Sequence, residues 1–452
     1  MSPTPTGLFH EVPIEDLFFS TTDAKGVIDE ANEVFARNAR YARSELLGAP
    51  HNIIRHPDMP GAVFKATWDL LGSGHPVCAY VKNLAKDGST YWAFATIVPI
   101  EGRFLSVRAT PCDRAARDLF ESLYGAVRAA ELAARDSGAS ARQAAEIGGD
   151  SLAQALADNG FASYTDLQLD LVPVEVAARE SVCPPLPDLA DGSKTARKML
   201  SQVADARSRL GAFATDIAGS LVLADTLARD LRRLRTALAS LDTEVTATST
   251  AVEREPFVAD VVAFVPVIRT QLQSLSETVS AAAQDLTPVV RTRKQLALSS
   301  AIARMQAEAI GRYVVAVETG AEDPRVSERA LSSLTTALLA ILDADLQADK
   351  AATAAYVARV ARVSAQVSGT SAATTSWRAL LDGSDGGSAD PAEDSPSLHD
   401  TLRTFDVALS AVGEQMRRVE QAVEAVAATN AALDRDELAA VLTRIVELAA
   451  KI

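Results

Sequence analysis

The sequence predicts an α+β chain: an antiparallel five-stranded sheet with short helices, followed by a long all-α region of coiled-coil or helical-bundle type. Three observations carry this. Of the 23 aromatic residues, 14 lie in residues 1–130, so the rest of the chain must build its core from Ala, Leu and Val. Near the N-terminus the turns Lys86-Asp87-Gly88 and Glu101-Gly102 separate strand-like runs. Beyond residue 200, apolar residues recur with 3,4 spacing over six heptads.

The elements follow in order. FFSTTDAKGVIDEANEVFARNA reads as a strand ending at Thr21-Thr22, a turn through Asp23 to Gly26, a short strand through Val27 and Ile28, and a helix with Phe35 on its apolar face. HNIIRHPDMP at 51–60 packs two histidines, an arginine and an aspartate together, with a proline on each side of Asp58. Proline restricts its own torsion and that of the preceding residue, so His56-Pro57-Asp58-Met59-Pro60 forms a rigid polar loop rather than ordinary helix. AVFKATWDLLGSG is a helix closed by Gly72 and Gly74, with Phe64, Trp68 and Leu71 at i, i+4 and i+7. Strands from Val77 to Asn83, Tyr91 to Val98 and Arg103 to Thr110 complete the sheet.

That order is the layout of a PAS sensor domain. STTD, AN, GAPHNIIRHPDMP, the helix holding Trp68, VKN and DGSTYWAFATIVPI resemble, in order and spacing, the sensor domain of bacterial aerotaxis receptors over residues 8–128. The resemblance implies a cavity holding non-covalent FAD that reports cell redox state. Carried over by position, the flavin-holding residues are Asn32, Arg55, His56, Asp58, Trp68 and Asn83, with Trp92 nearby. The receptors often have a tryptophan after the proline of their GEPW segment, whereas this chain has Pro76-Val77-Cys78, so part of the cavity wall differs.

The chemistry of these residues agrees with a flavin. A pyrophosphate needs donors, which Arg55 and His56 supply, and the planar arginine fork donates in pairs. The Asn83 amide both donates and accepts, so it can follow a change in protonation at a ring edge. Trp68 offers an aromatic wall. Each residue also has an ordinary structural role. Trp68 fits a helical core stripe, and His51 and His56 fit satisfied loop histidines. Asn32 suits any strand-to-helix junction. Asp58 can cap the next helix at Gly61 or Ala62, or pair with Arg55.

The expected domains are 1–112, the sensor; 113–170, connector helices, with one helix from near Asp113 to about Ala157; 171–197, a proline-rich linker; 198–381, the helical bundle; 382–397, a flexible connector; and 398–452, C-terminal amphipathic helices. The heptad stripe runs from Val203 to Val245 and returns at Leu272–Val289 and Leu398–Val426. Residues 295–317 are similar to the hairpin-tip pattern of chemoreceptor signalling domains, with Ser299, Ala303 and Tyr313 departing from it. Pro256, Pro266 and Pro288 are expected to interrupt the approaching helix. The Thr- and Ser-rich stretch at 243–250 reads as turns, and His399 as a helix-start histidine.

A net charge of −15 disfavours nucleic acid and anionic membranes. No run of about 18 uninterrupted apolar residues occurs, and no basic-then-apolar leader begins the chain, so a cytoplasmic protein without membrane insertion is expected. Three cysteines without ligand spacing fit a reducing compartment and no metal. No catalytic constellation is present. The expectation is a non-enzymatic sensory transducer, a homodimer through its helices, whose partners are the chemotaxis kinase, its coupling protein or a receptor array. The alternatives are a cofactor-free interaction or scaffold protein, and a haem-binding gas sensor using His56 or His75 as axial ligand.

Overall fold

Side chains alternate along a strand, and here that alternation divides one sheet into two unlike faces. A computed structural model describes residues 3–252, 262–323, 327–382, 398–428 and 435–449. The five strands are β1 (Phe18–Thr22), β2 (Ile28–Ala31), β3 (Val77–Leu84), β4 (Thr90–Ile100) and β5 (Arg103–Ala109), all antiparallel in the order β2-β1-β5-β4-β3. The sheet, the two turns and the strand positions match expectation.

Helices α1 (Glu33–Ala39), α2 (Arg43–Leu46) and α3 (Gly61–Gly72) lie between β2 and β3, with a 3₁₀ turn at His51–Ile54. Cross-strand partners Asn83 with Tyr91 and Val81 with Ala93 share the inner face of the sheet, and Lys82 with Trp92 and Tyr80 with Phe94 alternate onto the opposite face. That outer face is covered by α4 (Arg114–Asp136) and α6 (Tyr164–Val182). The Phe120 ring lies 4.8 Å from Tyr80 and 6.2 Å from Tyr164.

Several boundaries differ from expectation. The helix leaving β5 does not run unbroken to Ala157. It turns at Gly138, whose φ of +94° suits glycine, and α5 (Ala141–Asp158) packs back against α4 and α3. Residues 171–182 are helix rather than linker. α6 runs through Pro173 because Leu169, Val172 and Val176 are buried around it, and tertiary burial outweighs the lost backbone hydrogen bond. Irregular chain is confined to Cys183–Ser193.

The helices that follow are α7 (Lys194–Val252), α8 (Val265–Glu318), α9 (Ser327–Asp382), α10 (Leu398–Ala428) and α11 (Arg435–Ala449). Residues 243–250 lie inside α7, so the expected turns there are helix. Pro266 occupies the first turn of α8, where no backbone donor is needed, and Pro288 lies inside the same continuous helix between buried Leu286 and Val289. Pro256 and the connector 382–397, save Asp382, lie outside the described residues.

Two compact units emerge, residues 1–215 with 294–345 and 433–452, and residues 216–293 with 346–432. In the second, Leu227–Val252 of α7 shares one core with parts of α8, α9 and α10. Every position of the expected stripe from Val203 to Val245 is buried, so the 3,4 pattern was legible and is satisfied within a single chain. One 18-residue window of α7 reaches a mean hydropathy of 1.3, enough by length and composition to cross a membrane, and 33% of that window is buried. In the first unit, residues 298–311 of α8 are buried on all sides, as expected of a helix at the centre of a core. The tip-like segment 295–317 therefore contains no hairpin turn.

Candidate functional site

The inner face of the sheet and α3 enclose a cavity of about 270 Å³. Met59, Val63, Leu71, Val81, Ala95 and Ile97 supply apolar walls. Trp68 projects from α3 to the mouth and is 41% exposed, edge-on to Phe104 at 5.5 Å. Opposite it stands Gly26, whose φ is +77° and whose missing Cβ would lie 3.0 Å from the indole. A side chain at Gly26 would push the tryptophan aside.

Three of the residues expected to hold a ligand meet here: Arg55, Trp68 and Asn83. Arg55 and Asn83 are joined by a backbone bridge, which ties the 51–60 loop to β3. The Arg55 guanidinium lies 3.9 Å over the Phe64 ring and donates to Met59 O at 2.9 Å. Burial lowers its pKa, an effect that Glu131 opposes. Asn83 is buried, with Nδ2 only loosely directed at Val81 O at 3.4 Å.

The other four lie off the cavity lining. Asn32 is the N-cap of α1: its Oδ1 accepts from Phe35 N and Phe19 N, both at 3.1 Å, and its Nδ2 donates to Leu17 O at 3.2 Å. It fastens a helix to a strand. His56 is buried, and its Nδ1 accepts from Asp58 N at 3.1 Å. Burial lowers the His56 pKa against the pull of Asp58. Asp58 accepts from Lys82 Nζ at 2.7 Å, and that bond lowers its own pKa. It neither caps α3 nor pairs with Arg55. Gly61 N and Ala62 N instead donate to Glu131 of α4, at 3.0 and 2.8 Å. Trp92 is paired with Lys82 on the outer face of the sheet, one residue out of phase with the cavity.

Sequence reasoning passed over Arg108 and Ser106 and gave His51 only a structural role, yet all three line the cavity. Arg108 is 3% exposed, donates from Nη1 to Ser20 Oγ at 3.1 Å and meets His51 Nε2 through Nη2. Phe35 lies 5.2 Å beneath its guanidinium. Burial brings its pKa down to about 10. Burial and the Arg108 charge hold the His51 imidazole well below its ordinary range. The Ser106 hydroxyl is buried without a hydrogen-bond partner. A signal was available: Phe104, Ser106 and Arg108 share one face of a strand, so an arginine falls at an inward position.

Residues 28–110 match the family described as the PAS fold. The Escherichia coli K12 aerotaxis receptor is 37% identical over 142 residues, which is 30% of this chain and 28% of the receptor. The chain thus matches less than a third of that relative's length. Among solved structures, a light-oxygen-voltage domain studied with a flavin analogue is 23% identical, covering 24% of this chain and 86% of that one, with a TM-score of 0.22. The PAS domain of an HTR-like protein from Haloarcula marismortui is 21% identical over 21% of this chain and 80% of its own, with a TM-score of 0.19. Residues 28–110 thus form a PAS domain, similar in sequence to part of an aerotaxis receptor.

Proposed function

We propose that this chain is a cytoplasmic sensory transducer whose PAS domain binds FAD and passes its redox state to the helical region. The observation that carries this is the cavity itself, a ring-sized apolar slot edged by Asn83, Arg108 and an unpartnered Ser106 hydroxyl. It lies in a domain whose relative is an aerotaxis receptor. These residues fit an isoalloxazine ring, which needs flat apolar walls and polar partners along one edge. At about 270 Å³ the enclosed space sits below the usual range for whole drug-sized ligands, so the phosphate-bearing chain would leave by the mouth, beside Lys25 and Arg55.

When bound, the flavin supplies a change of charge and protonation on electron uptake. The protein's part is to convert that change into a different preferred position of its helices, by no more than the difference between oxidised and reduced contacts. Two buried carboxylates offer the path. Tyr80 of β3 donates to Glu175 of α6 at 2.7 Å, and Glu175 also accepts from Cys112 N and Asp113 N, both at 2.7 Å, where α4 begins. Glu131 of α4 holds the start of α3, the helix that carries Trp68.

A homodimer and contact with the chemotaxis kinase, its coupling protein or a receptor array belong to the same proposal. Because the heptad stripe is buried within one chain, such a dimer would use other surfaces. The test is the absorbance spectrum of the freshly purified protein, with heat release of any chromophore. Twin bands in the blue and near-ultraviolet with released FAD are expected. A Soret band would replace the flavin with haem. A colourless protein that refuses added FAD would leave the PAS domain as an interaction module.

A further inference from the structure

We infer that Arg108, with His51 and Ser106, forms an anion-recognising subsite at the inner end of the cavity, and that it favours the ligand in its more negatively charged state. The inference rests on the flavin reading for the identity of the ligand, but its evidence is separate. A guanidinium removed from water needs hydrogen-bond acceptors and a compensating charge. Arg108 is buried, and among the described residues no carboxylate forms an ion pair with it. Its side-chain partners are one hydroxyl, one imidazole and the faces of Phe18 and Phe35.

His51 adds a neutral donor to the subsite. Arginine has no acceptor, so the ring nitrogen facing it must accept, which places the proton of a neutral imidazole on Nδ1. The imidazole is stacked on Phe35, with ring centroids 6.0 Å apart. Ser106, 5% exposed and two residues along the same strand face, keeps a hydroxyl without a partner. A fixed cation, a neutral donor and an unspent hydroxyl together suit a carbonyl-rich ring edge that gains negative charge. Charge placed beside the pyrimidine edge of a flavin is a recognised means of tuning its potential.

The electron comes from outside the protein, in the test from dithionite, a one-electron reductant in its dissociated form. It adds one negative charge to the ring and breaks no bond. The fixed charge on Arg108 offsets it, because a cation a few Å away in a medium of low dielectric constant attracts an anion strongly.

The experiment is a redox titration of the full-length protein with bound FAD, alongside Arg108→Gln and Arg108→Lys. The Gln variant should lose about tenfold in its preference for the reduced ligand, a downward shift of about 59 mV for one electron, and the Lys variant should stay near the parent. A folded Gln variant that takes up no FAD, with uptake restored by Lys, also supports the subsite. Unchanged potentials in both variants overturn it while leaving flavin binding intact. If the parent itself takes up no FAD, it is the flavin reading that fails. Should the Gln variant not fold, the parent decides alone: its bound flavin must accept the first electron more readily than free FAD in the same buffer, and a value at or below that of free FAD overturns the inference.

Discussion

The Glu131 carboxylate accepts the Ala62 amide at 2.8 Å, so a side chain from the helix after the sheet caps the helix that walls the cavity. Its second oxygen takes Gly61 N at 3.0 Å, and Arg128 on the same helix turn lies 3.1 Å from that oxygen. α3 begins after Pro60, which offers no side-chain cap, so the start of the helix depends on a residue about seventy positions away.

Glu131→Ala should therefore destabilise the N-terminal domain by about 1–3 kcal/mol, the usual cost of stranding buried backbone donors. Urea unfolding followed by tryptophan fluorescence measures the loss. Hydrogen exchange should quicken at Ala62 before it does so elsewhere. Unchanged stability would show that the cap is replaced by water.

Arg179 of α6 and Glu308 of α8 form a buried pair through two contacts of 3.0 Å each. Truncating Glu308 leaves the Arg179 charge unpaired in the core, at a cost of about 3–5 kcal/mol, whereas truncating Arg179 leaves Glu308 still paired with Arg312 at 3.2 Å and costs less. Arg179→Met combined with Glu308→Leu should recover much of that loss. Thermal unfolding of the two single variants and the double variant forms the cycle that checks this.

The cavity predictions separate ligand contacts from scaffold. Trp68→Ala should weaken FAD binding roughly tenfold, about 1.4 kcal/mol, because the indole closes the mouth. Trp92→Phe should leave affinity unchanged, since Trp92 lies on the outer face. Asn32→Ala should lower stability by about 1 kcal/mol through the lost cap, while flavin stays at full stoichiometry in whatever protein remains folded. Fluorescence titration beside a denaturation curve tells these outcomes apart.

His51 gives the domain a pH dependence of definite sign. Burial and Arg108 depress its pKa in the folded state. Below the ordinary histidine value of about 6.5 the unfolded chain then binds the extra proton first. Stability is complete above that value and falls as the pH drops through the window beneath it. His10 and His56 are shifted the same way, chiefly by burial, so His51→Asn should flatten the fall only in part. Melting temperatures between pH 5 and 8 give the slope. A variant that loses stability as steeply as the parent would exclude His51 as a contributor.

Local chemistry was enough for much of this protein. Period-2 runs and glycine turns located the strands, 3,4 spacing located every buried apolar position from Val203 to Val245, and the proline-bounded loop marked the neighbourhood of the cavity. What the sequence could not settle was phase and partnership. Trp92 and Asn83 both fall near the cavity when counted along the chain, but the antiparallel register turns one outward and the other inward. Pro173 reads as a break, yet burial of its neighbours keeps the helix intact. Glu131, Glu175 and Arg108 look like ordinary charges until distant backbone amides and aromatic rings close around them. Backbone propensity and periodicity act over a few residues and are written locally. Desolvation and hydrogen-bond pairing depend on which segments meet, and that only the folded chain decides.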